Sequence, residues 1–110
     1  MTKFGELIDE QKPILLNFFA DWSEDCEAIH DQLKDVSAAL GDKAKLIKID
    51  VEKNPQLVEV LKVKKLPTYM LYKAGEMVWR QSGKLEANDL IIILEDNSWV
   101  TLKKLQNNLL

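Results

Sequence analysis

The sequence predicts an α/β domain: a central mixed sheet of about four strands with helices on both faces. Three observations carry that expectation. The stretch Ile14-Leu15-Leu16-Asn17-Phe18-Phe19-Ala20 is continuously apolar apart from one amide, the pattern of a strand covered on both sides. Cys26, Ile29, Leu33, Val36, Ser37 and Leu40 fall on one stripe of a 3.6-residue period, while Glu27, Asp31, Lys34 and Asp35 face away. Residues 68–72 and 77–81 flank Ala74-Gly75-Glu76 as the arms of a hairpin. A chain of 110 residues suits one core of this kind, not two.

Each element has a local reason. Residues 3–10 leave room for a short helix ahead of the apolar strand and almost none for an earlier strand. The amphipathic helix that begins at Cys26 stops at Gly41, a residue suited to follow a helix C-terminus. Lys45-Leu46-Ile47-Lys48-Ile49-Asp50-Val51 reads as a second strand. Asn54-Pro55 supplies an N-cap and a first-turn proline for a helix whose apolar residues are Leu57, Val58 and Leu61. A last helix covers residues 87–96; Leu90-Ile91-Ile92-Ile93-Leu94 has strand-like propensity, but the Asn88-Asp89 start and the Leu90, Ile93, Leu94 spacing favour helix. Helical connections imply parallel strands, and the hairpin adds an antiparallel partner.

Residues 1–97 thus form the domain, and residues 98–110 an extension. In the extension Trp99, Leu102, Leu105 and Leu109 make one helical stripe, which predicts an added C-terminal helix. Ile92 points off the core face of the preceding helix and Ile91 sits at its edge. The two apolar surfaces can cover each other within the subunit, or make a homodimer or partner contact.

Fifteen basic against eighteen acidic residues leave a net charge of −3, which offers no attraction to a phosphate backbone or an anionic membrane. Nucleic acid and membrane are therefore not expected partners. Cys26 is the only cysteine, so no intramolecular disulfide can form, and with His30 as the only histidine there are too few soft ligands for zinc. No metal and no cofactor is expected. The opening residues MTKFGELIDE lack the basic, apolar and small-residue pattern of a secretory signal, which predicts a cytoplasmic protein.

The segments FFADWSEDC, KLIKID, the Asn54-Pro55 helix start, KLPTYMLYKAGE with its Leu66-Pro67-Thr68, and Gly83 after the hairpin together resemble the thioredoxin family over residues 4–97. In that family a tryptophan precedes a Cys-Gly-Pro-Cys motif at the start of the second helix, and a cis-proline in the opposite loop holds the bound peptide. Trp22 and Pro67 match those positions. The resemblance implies a thioredoxin fold without its usual first strand, a cis bond at Leu66-Pro67, and a protein- or peptide-binding surface of Trp22, Leu66, Pro67, Thr68 and Gly83.

The departures from the family pattern bear on chemistry. Dithiol exchange needs one thiolate to attack and a second thiol to resolve the mixed disulfide. Here the motif is Ser23-Glu24-Asp25-Cys26, with a hydroxyl at the attacking position and the only thiol at the resolving one. Asn17 falls where the family carries a buried acid, and an amide cannot take the thiol's proton. A single Cys-to-Ser exchange would account for Ser23 but not for Glu24, Asp25 or Asn17. Asp21, Glu24, Asp25 and Glu27 also place negative charge around Cys26, which opposes a thiolate; the same carboxylates favour a helix N-terminus, where Asp21 and Glu24 can form a capping box.

Three functions follow: a peptide-binding module that has lost dithiol exchange, a thiol oxidoreductase of reduced scope using Cys26 alone, or an assembly subunit acting through its C-terminal surface. The four-residue spacing of Cys26 and His30 would let the imidazole take the thiol proton, against a packed, inert thiol. Lys62, Lys64 and Lys65 would face the acidic turn, screening it or flanking a groove with it. Asn17 must find hydrogen-bond partners in a buried strand, and Lys48, which matches a family lysine near the buried acid, is expected to extend to solvent.

Overall fold

The computed structural model describes residues 4–9 and 11–97. The apolar run forms β1, Ile14–Phe19, buried at every position before Phe19. It pairs in parallel with β2, Lys45–Asp50, on one side and antiparallel with β3, Thr68–Lys73, on the other. The hairpin partner β4, Glu76–Ser82, completes the order β2-β1-β3-β4. Among the described residues no strand precedes β1.

Alternation along β1 divides the interior. Leu15 and Phe19 point to one face, which is covered by α2, Ile29–Leu40, and α4, Ala87–Asp96, through Ile29, Leu33, Val36, Leu40, Leu90 and Leu94. Ile14, Leu16 and Phe18 point to the other, covered by α1, Phe4–Ile8, and α3, Pro55–Val60. Phe4 meets Tyr72 edge-on at 5.5 Å. Helices on both faces and a four-stranded mixed sheet are as the sequence predicts.

The direction of β3 is not. A helical connection after β2 was expected to return a parallel strand, yet Phe18 pairs with Thr68 and Ile14 with Tyr72. The reason is length: α3 has 6 residues, about 9 Å of helix, whereas a strand of this size runs about 20 Å. The connection stays at the sheet end where β1 and β2 finish, and β3 starts back from there.

Other corrections concern helix ends. The helix expected from Cys26 divides into a 3-10 turn, Glu24–Cys26, and α2, which starts at Ile29. Cys26, Ile29, Leu33, Val36 and Leu40 are buried as the stripe requires, but Ser37 is exposed. No side-chain hydrogen bond caps either start, so the expected Asp21–Glu24 capping box does not form. Asn54 does not cap α3 with its side chain either; its Nδ2 donates to the Asp50 carbonyl at 2.9 Å. On α4 the cap is Glu86, one turn ahead of Asp89, whose Oδ2 accepts from the Glu86 N–H at 3.3 Å.

Two features fix the far end of the sheet. The hairpin turn is Ala74-Gly75, both at positive φ (51° and 83°), the left-handed pair of a two-residue hairpin. The Gly75 N–H donates to the Ile8 carbonyl at 3.2 Å, fastening the turn to α1. Beside it, buried Lys73 donates from Nζ to the Asn97 carbonyl at 3.2 Å, placing a cation at the C-terminus of α4. Residues 98–110, with the expected C-terminal helix, lie outside the described residues.

Because Leu15 is wholly buried between the sheet and the α2–α4 layer, Leu15→Ala should leave a cavity and cost about 2 to 5 kcal/mol in urea unfolding. Val60→Ala, at a position 73% exposed, should shift stability by less than about 0.5 kcal/mol. Similar losses at the two positions would contradict this division of the core.

Candidate functional site

The chain leaves β1 through buried Ala20 and turns at once, the Ser23 N–H donating to the Ala20 carbonyl at 3.2 Å. That turn throws Trp22 outward, 68% exposed, and leaves Ser23 half-buried. The Cys26 N–H then donates to the Ser23 carbonyl at 3.0 Å, and the 3-10 turn carries the Cys26 side chain inward to 4% exposure, among the residues under α2.

Facing this turn is the entry to β3, where the Leu66-Pro67 bond is cis as expected. The loop is held from below: the Gly83 N–H donates to the Pro67 carbonyl at 2.8 Å, with Gly83 at a φ of 101° that suits glycine. The buried Thr68 hydroxyl donates to the Lys65 carbonyl at 2.5 Å and lies 2.9 Å from the Ser82 hydroxyl, which can donate to it. Arg80 fixes the preceding stretch, donating to the carbonyls of Leu61 (2.6 Å) and Lys62 (2.8 Å).

Between turn and loop lies a hollow of about 300 Å³ lined by Trp22, Ser23, Val51, Val58, Val63, Lys64 and Leu66. Of the site residues expected from the sequence, Trp22, Ser23 and Leu66 line it together. Pro67, Thr68 and Gly83 form its hydrogen-bonded support. Cys26 is not among its lining residues.

Asn17 lies beneath, wholly buried on the face shared with Tyr69 across the strand pair. Contrary to expectation, neither Oδ1 nor Nδ2 finds a partner in hydrogen-bond geometry, although the amide lies near enough to the Tyr69 hydroxyl to lower its pKa slightly. Burial raises the Tyr69 pKa, opposed by hydrogen bonding at Leu85 and Gln32. That hydroxyl donates to Gln32 Oε1 at 3.1 Å, and Gln32 Nε2 in turn donates to the Leu85 carbonyl. This link from β3 through α2 to the loop before α4 was not read from the sequence. Nor were the three valines of the hollow, which carry no pattern beyond ordinary apolar character.

Cys26 and His30 are not brought together, because the residues between them do not continue one α-helix. His30 is exposed, stacks edge-on against Phe19 at 5.3 Å, and its Nδ1 lies 2.9 Å from Lys48 Nζ. With the ammonium donating, Nδ1 is the acceptor and Nε2 carries the proton. Lys48 is exposed, as expected, with His30 as its contact. Among the described residues no ion pair joins Lys62, Lys64 or Lys65 to the acidic turn, although Lys64 reaches the hollow's rim.

A family model described as thioredoxin matches residues 1–96. The chain belongs to the thioredoxin family. It is 38% identical over 91 residues to chloroplastic thioredoxin Y1 of Arabidopsis thaliana (83% of this chain, 53% of that protein). It is 33% identical over 91 residues to a thioredoxin-like protein of Synechocystis (82% and 87%). The chain spans about half the length of the plant relatives. Among solved structures, malaria-parasite thioredoxin-2, described as a component of protein secretion machinery, superposes with a TM-score of 0.76 at 31% identity (78% of this chain, 84% of that one). Chloroplastic thioredoxin z gives 0.72 at 29% (79% of each). Among the described residues no helix is long and apolar enough to cross a membrane.

An unbonded buried amide loses its hydration without replacement, so Asn17→Leu should raise stability by about 1 to 3 kcal/mol. A drop in melting temperature would mean instead that the amide is satisfied by an ordered water. Cys26, nearly inaccessible, should alkylate with iodoacetamide far more slowly in the folded protein than after denaturation. Rapid labelling of the native protein would contradict its buried placement.

Proposed function

We propose that this thioredoxin-family protein binds extended peptide segments through the hollow between Trp22 and Leu66, and has lost dithiol–disulfide exchange. One observation carries the reading most directly: the side chain at the rim of the hollow is the Ser23 hydroxyl, while the sole thiol, Cys26, is buried outside the lining. In a dithiol exchange, a thiolate attacks a substrate disulfide and expels one substrate sulfur; a second thiolate then attacks the mixed disulfide and releases the other. Ser23 forms no disulfide, and Asn17 accepts no proton from Cys26.

What the surface retains is recognition. Trp22, Val58, Val63 and Leu66 offer an apolar recess for one side chain, with the tryptophan face open to it. An extended backbone passing over Leu66 would run along the entry to β3, the strand-addition mode of peptide binding. Lys64 adds a positive charge to the lining, which selects partners more than it adds affinity. A cytoplasmic setting belongs to this reading, supported by a single thiol that calls for no oxidising compartment.

In an insulin-reduction assay the unmodified chain should show no multiple turnover, and Ser23→Cys should recover only part of a thioredoxin's rate because Asn17 remains. Turnover by the unmodified chain would make Cys26 a working single-thiol centre and sink the proposal. Peptides carrying an apolar residue beside an acidic one should change tryptophan emission, and Trp22→Ala should weaken their binding about tenfold, roughly 1.4 kcal/mol. Equal binding by Trp22→Ala would place recognition elsewhere.

A further inference from the structure

α4 buries Leu90 and Leu94 against the sheet but leaves Ile92, between them, 56% exposed. Ile91 and Ile93 are half-buried beside it. A hollow of about 400 Å³ lies along this face, lined by Leu85, Ile92 and Ile93 with Gln81 and Asp89. A helix of ten residues with an isoleucine in the middle of its outer face has more apolar surface than the sheet beneath it covers.

The chain itself supplies a matching segment. Thirteen residues follow Asn97, and Trp99, Leu102, Leu105 and Leu109 form their apolar stripe. Their charge is also complementary: residues 98–110 contain Lys103 and Lys104 and no acidic side chain, whereas α4 and its cap contain Glu86, Asp89, Glu95 and Asp96 and no lysine or arginine. The family match stops at residue 96, just before the segment.

The exit point favours a return along the same helix. Asn97 is pinned by its N–H and its Nδ2 to the Ile93 carbonyl (3.2 and 2.8 Å) and by Lys73 Nζ to its own carbonyl (3.2 Å), so the point from which the segment must start is fixed at the end of α4. Ile92 lies about 7.5 Å back along the axis from there, and a returning helix over residues 99–109 would extend about 16 Å, close to the length of α4. We infer that residues 98–110 fold back antiparallel to α4 and cover the Ile92 face of their own subunit, with Leu102 or Leu105 against Ile92. A short tether gives this segment an effective concentration in the millimolar range, well above that of a second copy in solution.

Hydrogen exchange on the full chain tests this directly, with sedimentation run alongside. Backbone amides of residues 101–109 should exchange at least about tenfold more slowly than in an unstructured peptide, independently of protein concentration, in a particle with the mass of one chain. Ile92→Asp should remove that protection while the amides of β1 and β3 stay protected; if β3 also loosens, Trp99→Ala supplies the same test without touching α4. Unprotected amides in the unmodified chain would overturn the inference. So would protection that survives both substitutions, or protection that rises with concentration in a particle of twice the mass, which would assign the face to a second copy.

Discussion

A strand buried on both faces forces the chain to build two apolar layers, and β1 is such a strand from Ile14 to Phe18. Leu15 calls for α2 and α4 above it; Ile14, Leu16 and Phe18 call for α1 and α3 below. Its hydrogen bonds are taken up by β2 on one side and β3 on the other, so both edges of the sheet are borne by strands that can tolerate solvent. β4 is exposed along most of its length, and β2 shows Lys45 and Lys48 outward. The site inherits its position from the same strand: whatever follows Phe19 emerges at one end of the sheet, where the connection into β3 must also pass.

The polar exceptions within this apolar frame differ in how they are satisfied. Tyr69 keeps its hydroxyl in a chain of hydrogen bonds through Gln32 to the Leu85 carbonyl, which ties three segments together and opposes the rise that burial imposes on the phenol's pKa. Asn17, on the neighbouring strand and the same face, makes none. An amide there is less costly to bury than a carboxylate. Under the proposed function, which moves no proton to or from Cys26, the site has no use for the acid.

Much of the architecture was legible because burial imposes periodicity. The continuous run of β1, the Cys26 to Leu40 stripe, the two-residue hairpin and the helix over Leu90–Leu94 each left a pattern in the apolar residues, and the Trp22 and Leu66-Pro67 pairing was legible through the family resemblance. Features set by geometry across segments left none. The reversal at β3 depends on how far a six-residue helix can carry the chain. Gln32 reads as an ordinary polar residue on a helix until β3 brings Tyr69 to it. The Cys26–His30 contact failed because periodicity fixes which side of the chain is buried, not whether a 3-10 turn interrupts the helix. Val51, Val58 and Val63 are unremarkable as a sequence and meet only in space.

That interrupted helix also changes what the acidic turn is for. Had α2 begun at Cys26, Asp21, Glu24, Asp25 and Glu27 would all have been explained as groups complementing a helix N-terminus, within the one turn over which the dipole is felt. With α2 starting at Ile29, and with no side chain capping either start, that explanation reaches Asp31 in the first helical turn but not Asp21. Nor do these carboxylates pair with the lysines across the hollow. They are exposed, as are Lys64 and Lys65, and of these charged groups only Lys64 lines the hollow. Charges held apart in this way contribute little to folding, because water and salt screen them until something lies between. A segment laid across the hollow would bring Lys64 close to its own charges. Under the proposed function, Lys64 at the hollow therefore serves selection of a partner more than stability of the fold.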